Sequence, residues 1–293
     1  VWLSPGLSNS YLITTSDGRV VVNSGMGFEG PLHRAKYDAV DGSPIRAVIL
    51  TQGHYDHVGG LPVLVDEGTD LIAQANHGVW RNDNQRLEAF RSRNSAFAWI
   101  DAILAAMEHT RALGVEAAPA EVPEPTVLFD EHLELTVGDR ELVLIATPGG
   151  ETFDSLVIWL PQTATLLSGN LTGPLFGHVP NLVTIRGDRY RDALTYIDSL
   201  EVLKELRPER LLTGHFDPIE GADRIAEEIE AMQEAMRWVH DRTVDGMNAG
   251  EDVWTLMRTV KVPDHLDVGE GYGTTPWNVR AIWENYAGWF HHR

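Results

Sequence analysis

The stretch Thr51–Gly60, TQGHYDHVGG, follows directly on the β-like run IRAVIL, and its reading decides the fold. Three groups able to bind a metal, His54, Asp56 and His57, crowd a turn that closes on Gly59 and Gly60. A strand that empties into a loop rich in His, Asp and Gly is a common way to place ligands at a sheet edge. Imidazole nitrogen and carboxylate oxygen suit zinc or iron, and Asp56 with His57 can address one ion while His54 turns toward another. A hydrogen-bonded surface turn accounts well for a lone histidine; it accounts poorly for this cluster at a strand end.

Outward from the loop, the chain divides into two halves. The first carries the short β-like runs SYLITT and RVVVNSG, a helical stretch from about Gly30, and a long helical pattern over 77–112. Phe97, Ile100, Ile103, Leu104 and Met107 recur there at helical spacing, and Met107 and the Trp residues of that stretch read as ordinary packing. The connector EAAPAEVPEPT ends this helical insertion, about 77–115, and opens a second β-rich half: TVLF, LELTV, ELVLIATPGG, SLVIWLP and ATLLSGN. A helix over 188–206, the strand ERLLTGH and a long helix from Ala222 follow. Strands first and helices after in each half predict an α/β protein with two sheets face to face and helices outside. The expected division is a catalytic domain over 1–245 and a helical extension over 246–293 that dimerises or lines the site.

Composition narrows the function. The 293 residues, 43% hydrophobic, allow a substantial core. With no cysteine, disulfides, thiolate nucleophiles, iron–sulfur clusters and zinc–sulfur sites are excluded, so any metal is held by nitrogen and oxygen. The formal charge of −20, from 43 acidic and 23 basic residues, repels phosphate backbones and anionic headgroups and argues against nucleic acid as a partner. No apolar run approaches the roughly 20 residues of a membrane span. The expected partner is a small-molecule substrate. No secretory signal is visible; the chain opens on Val1, so cytoplasmic and, with a trimmed leader, periplasmic or secreted locations both stay open.

Three later stretches end strands as the first loop does: ATPGGETFDS with Glu151, LLSGNLTG with Asn170 and LLTGHFDP with His215. Together with TQGHYDHVGG they resemble the metallo-β-lactamase superfamily, whose first motif is HxHxDH followed by Gly-Gly; here Gln52 stands at the first histidine. The resemblance implies an αββα four-layer sandwich with one or two metal ions at one edge of the sheets. Within the superfamily the chain is similar to the alkylsulfatase branch: TPGGE supplies the glutamate, Glu151, and Asn170 falls where that branch has a bridging carboxylate. NLVTIRG, residues 181–187, is similar to a sulfate-recognising stretch, which makes Asn181 and Arg186 the implied anion contacts. The tail YGTTPWNVRAIWENYAGWF resembles the segment after the catalytic domain there, with Tyr272 an implied substrate contact and catalytic candidate.

By family position, the first metal would take Gln52, His54 and Glu151, and the second Asp56, His57 and His215 with Asn170 nearby. Amides at Gln52, Asn170 and Asn23 remove charge that two close divalent cations need between them. One firmly held ion, zinc, with iron as the alternative, is therefore expected at Asp56, His57 and His215, beside a weak or empty neighbour. Asn170 is either a fourth ligand or an orienter of water, and Asp56, Glu151 and His54 are all candidate proton acceptors. Arg186 is equally an anion contact and a structural ion pair. His178 is a further candidate on the substrate side, weighed against a solvated loop residue. His33, His109, His240, His265, His291 and His292 read as surface residues, and the aromatic tail predicts packing on the domain or in a homodimer.

The leading expectation is a hydrolase using zinc-activated water on a sulfate ester or another compound with an anionic leaving group. A hydrolytic dehalogenase of an aromatic halide is the alternative, because Asp56, His57, Asn170 and His215 are similar to a mononuclear zinc set of that kind. An iron-binding oxidoreductase and a non-catalytic descendant stay open beside it.

Overall fold

A computed structural model describes residues 1–189 and 191–288. Two six-stranded mixed sheets form its centre. The first runs β1 (Trp2–Ser4), β2 (Ser10–Thr15), β3 (Gly18–Val22), β4 (Ile45–Ile49), β5 (Asp70–Gln74) and β6 (Val127–Phe129), in that spatial order. Its first three strands are antiparallel neighbours, and β3 to β6 are parallel. The second sheet holds β7 (His132–Val137), β8 (Arg140–Ala146), β9 (Leu156–Leu160), β10 (Thr165–Gly169), β11 (Arg210–Thr213) and β12 (Ile219–Glu220). Only β10 and β11 pair in parallel there.

Strand periodicity builds the layers. Val20, Val22 and Ile49 face the second sheet, where they meet Leu144, Ile158, Leu167 and Leu212 in the central core. The alternate residues Val21 and Val48 face outward, onto Tyr37 of α1 (Gly30–Val40). Strands apolar on both faces are those covered on both sides, which is why these runs read as nearly continuous hydrophobic sequence. On the far side, Val157, Leu166 and Leu211 pack under Tyr196 and Leu200 of α4 (Ala193–Leu206), Ile229 and Met232 of α5 (Ala222–Asn248), and Ile282 of α7 (Thr275–Ala287). Helix, sheet, sheet and helix therefore stack as four layers, and α6 (Val253–Thr259) and α7 lie against α5 as extra C-terminal helices. Helix α5 runs unbroken through Gly246, so the expected division at 245/246 falls inside one helix.

Three expectations need correction. Met107 of α3 (His77–Ala112) is exposed rather than packed, as are Phe97, 80% exposed, Leu104 and Ile100 at the same helical spacing, whereas Trp80 is buried as expected. Helical spacing there marks a stripe that the described residues leave uncovered at these positions. Helix α4 starts at Ala193 rather than 188, because Asp192 caps it by accepting the amide of Thr195. His33 and His240 are buried, not superficial: His33 Nδ1 lies 2.6 Å from Ser4 Oγ, and His240 Nε2 lies 2.8 Å from Tyr286 Oη. His291, His292 and the terminal Trp289–Phe290 lie outside the described residues.

Candidate metal centre

The parallel strands β3 and β4, and β10 and β11, open their C-terminal ends toward the same edge, and the polar turns gather there. Asn23 follows β3 with φ of 59°, a left-handed conformation that Asn tolerates, and its Oδ1 accepts the amide of Thr51 at 3.0 Å. This bond steers the exit of β4. His54 follows, then the single turn α2 (Tyr55–Val58) presents Asp56 and His57. The glycines after it permit close approach: a Cβ on Gly60 would stand 2.2 Å from the Ser24 carbonyl. Asn170 comes from the end of β10, His215 from the end of β11 and Glu151 from the turn after β8.

Asp56, His57 and His215 meet: each offers a ligand atom within 4.8 Å of the others. The donor set fits a divalent ion. His57 is fully buried, yet neither ring nitrogen has a hydrogen-bond partner among the described residues, and Nε2 lies 3.4 Å from Asp56 Oδ2. Such orphaned polar atoms call for a partner. Burial, only partly opposed by Asp56, pushes the His57 pKa down to about 4, so it is neutral at pH 7 as a ligand must be. His215 Nδ1 donates to the Leu7 carbonyl at 2.7 Å, which fixes the tautomer and turns the Nε2 lone pair inward. Leu7 is itself held by the Glu29 carboxylate, which accepts its amide at 2.7 Å. Asn170 Nδ2 lies 3.2 Å from His215 Nε2, beside the trio. Burial opposes ionisation of Asp56, but His57, His215, His54 and Arg186 outweigh it and hold the carboxyl below its usual range.

The other implied ligands are drawn into a separate network. His54 Nδ1 lies 3.0 Å from Glu151 Oε1, and its Nε2 lies 3.4 Å from Asp188 Oδ2. Burial and Arg186 disfavour a charged His54, but these two carboxylates prevail and raise its pKa. Arg191 Nη2 donates to the same Glu151 oxygen at 2.6 Å, and its Nη1 donates to the Asn181 carbonyl at 2.9 Å. Burial would raise Asp188, yet His54, Arg186 and Arg91 hold it down to about 2. Gln52 Nε2 sits 3.2 Å from His54 Nδ1, and Trp80 packs edge-on to the His54 ring at 5.2 Å. Gln52, His54 and Glu151, the first implied set, thus also lie side by side, with Arg191 paired to Glu151 and Asp188 to His54. A cavity of about 300 Å³ lies behind this network, bordered by Trp80, Phe153, Thr152, Asp188 and Arg191, and is not lined by the trio.

The remaining candidates divide. Arg186 lies 3.9 Å from Asp188 Oδ2, a loose ion pair. Asn181 is buried with Oδ1 unpartnered. Tyr272 is half-buried and packs on Trp99 at 6.1 Å; burial first, then the Glu151 charge, raises its phenol pKa. His178 accepts the Gly271 amide at 3.2 Å, which makes it a support for the Tyr272 loop. Residue reasoning missed Asp188 and Arg191, whose only sequence signal is the charge-dense GDRYRD, together with Arg91, one of several arginines along the helical stretch over 77–112, and the Leu7 carbonyl, which has none.

Residues 3–215 match the family described as the Metallo-beta-lactamase superfamily. The chain belongs to that superfamily. It is 25% identical, over 95% of its length and 56% of the relative's, to a linear primary-alkylsulfatase of a Pseudomonas species. It is 26% identical, over 84% of its length and 41% of the relative's, to an alkyl/aryl-sulfatase of Saccharomyces cerevisiae. The chain thus spans about half the length of these curated relatives. Among solved structures, the stereoselective inverting sec-alkylsulfatase Pisa1 from a Pseudomonas species superposes with a TM-score of 0.83, at 23% identity over 97% of this chain and 48% of that one. A superfamily protein of Thermus thermophilus superposes at 0.61, with 20% identity over 97% of this chain and 92% of that one. These likenesses establish the superfamily fold.

Proposed function

We propose that this chain is a metal-dependent hydrolase with one divalent ion, zinc by the character of its nitrogen and oxygen donors, at Asp56, His57 and His215. The observation that carries the reading is buried His57 with both nitrogens unpartnered, facing a carboxylate and an imidazole whose tautomer the Leu7 carbonyl has set. A bound divalent ion supplies Lewis acidity, lowering the pKa of water toward roughly 7. The chain's own residues do the rest. Leu7 and Glu29 hold His215 in register, and Asn170 is placed to orient water beside it. Glu151 is engaged by Arg191 and His54 and is removed from both ligation and proton transfer. Tyr272 keeps its proton at neutral pH and, in this reading, is the group available to protonate a leaving group.

The names of the relatives point to ester hydrolysis, with sulfate esters the first class to test. The substrate is a small molecule, and no described helix is long and apolar enough to cross a membrane. Asn170 beside Asp56, His57 and His215 favours a second reading, hydrolytic removal of an aromatic halide, which halide release would reveal. Metal analysis of protein purified without chelator tests the centre. About one ion per chain is expected; Asp56→Ala and His215→Ala lose ion and activity together, and Gln52→Ala keeps the ion. Loss of all metal in Gln52→Ala, or full activity after every metal is stripped, would refute the assignment, and redox-active iron would favour an oxidoreductase instead.

A further inference from the structure

Every described arginine at the rim of the site already has a carboxylate. Arg191 is on Glu151 at 2.6 Å, Arg91 Nε is 3.2 Å from Asp188 Oδ1, and Arg186 is 3.9 Å from Asp188 Oδ2. His54, the remaining cationic candidate, lies between Glu151 and Asp188. Asp188 is thus the hub: its side chain is 8% exposed, and it sits where Arg91, Arg186 and His54 converge. A carboxylate in that position does electrostatically what a bound oxyanion would do. It stands 3.9 Å from Arg186, the residue expected to recognise an anion, as a loose counter-charge, and it repels a second negative group brought to the same place.

We propose that Asp188 is a built-in occupant of the anion-recognising position at Arg186, so that this enzyme takes an uncharged ester, such as a carboxylic ester or lactone, and excludes sulfate esters. This rests on the hydrolase reading above, keeps its ester hydrolysis, and departs from the sulfate esters that the relatives' names suggest. An incoming sulfate has two routes. It can take Arg186 from Asp188, which leaves a buried carboxylate short of a partner, or it can lie against Asp188 as a like charge in a water-poor site. Both weaken binding, because electrostatic interactions strengthen as the effective dielectric falls. An uncharged ester meets neither obstacle. The pairing also gives Arg186 a role without substrate: with Arg91 it neutralises Asp188 and keeps NLVTIRG itself against α3, where Asn94 Nδ2 donates to the Ile185 carbonyl at 2.8 Å.

The test is calorimetric titration of the zinc-loaded full chain with hexyl sulfate, and with hexyl acetate as the uncharged probe of equal chain length. Wild type is expected to bind hexyl acetate and to show no saturable hexyl sulfate binding, and Arg186→Ala is expected not to change that second result. Asp188→Asn, nearly isosteric, is expected to gain at least about tenfold in hexyl sulfate affinity, a gain lost again in Asp188→Asn/Arg186→Ala. Wild type binding hexyl sulfate as tightly as Asp188→Asn overturns the proposal. So does loss of an existing wild-type affinity in Arg186→Ala, or an Asp188→Asn protein that folds, retains zinc and still ignores hexyl sulfate. Should Asp188→Asn fail to fold, the wild-type and Arg186→Ala titrations decide alone. Binding is read whether or not either probe is cleaved, so failure of the hydrolase reading appears separately, as absent turnover or absent zinc.

Discussion

Replacing Arg191 by methionine removes one member of a buried ion pair and leaves the other in place. The guanidinium and the Glu151 carboxylate are 6% and 3% exposed and 2.6 Å apart. Deleting one partner of such a pair costs about 3–5 kcal/mol, because the survivor stays desolvated and uncompensated. His54 remains 3.0 Å from the same oxygen, which puts the loss near the lower figure. The Asn181 carbonyl also loses its donor, Arg191 Nη1, at an additional cost of about 1 kcal/mol. The expected destabilisation is therefore about 4 kcal/mol, or a melting point lowered by about 8 °C at about 2 °C per kcal/mol for a chain of this size. Urea unfolding followed by tryptophan fluorescence measures it on the full chain. The double variant Arg191→Met/Glu151→Gln removes both charges and is expected to recover at least half the loss. A single variant within about 1 kcal/mol of wild type, or a double variant as unstable as the single, would mean that Glu151 is not held by Arg191, and the argument that removes it from metal binding would fail.

Burial lowers the His33 pKa from 6.5 to about 3, so between those values the unfolded chain takes up a proton that the folded chain refuses. Stability from this residue is complete above about pH 6.5 and is lost as pH falls, at about 1.4 kcal/mol per unit; stability curves of wild type and His33→Gln that run parallel between about pH 6 and 4 would contradict it. Gly60→Ala places a Cβ 2.2 Å from the fixed Ser24 carbonyl and is expected to cost about 1–3 kcal/mol. Gly42→Ala, with nothing within 4 Å of the new atom, is expected to stay within about 0.5 kcal/mol by thermal melting; equal melting points for the two would refute the close-approach argument.

The parts of this molecule legible in sequence are those whose signal is local. The helix beginning at His77 and the one from Ala222 announce themselves by length and composition, and the strands by continuous apolar runs covered on both faces. His54, Asp56, His57 and His215 stand out because a metal-binding turn needs particular residue types at particular steps. What was hidden depends on distance along the chain. His33 and His240 look superficial until Ser4 and Tyr286 close over them from 29 and 46 residues away. Asp188 and Arg191 look like solvated charge in GDRYRD, and only the fold turns them onto His54 and Glu151. Helical spacing in Phe97, Ile100 and Leu104 reports a stripe but cannot report whether anything lies beneath it.

The Leu7 carbonyl reaches His215 across 208 residues, from the N-terminal run of the first sheet to the last turn of the second. Asp56 and His57 hang from one sheet and His215 from the other, so the trio exists only where the two half-molecules close on each other. An ion bound there acts as a clasp across the seam. Chelation should therefore loosen the join between halves before it melts either one, and amide exchange in the stripped protein should quicken first around Leu7, Ser8 and Asn9, whose contacts with Asp56, Thr213 and Gly214 stitch that border.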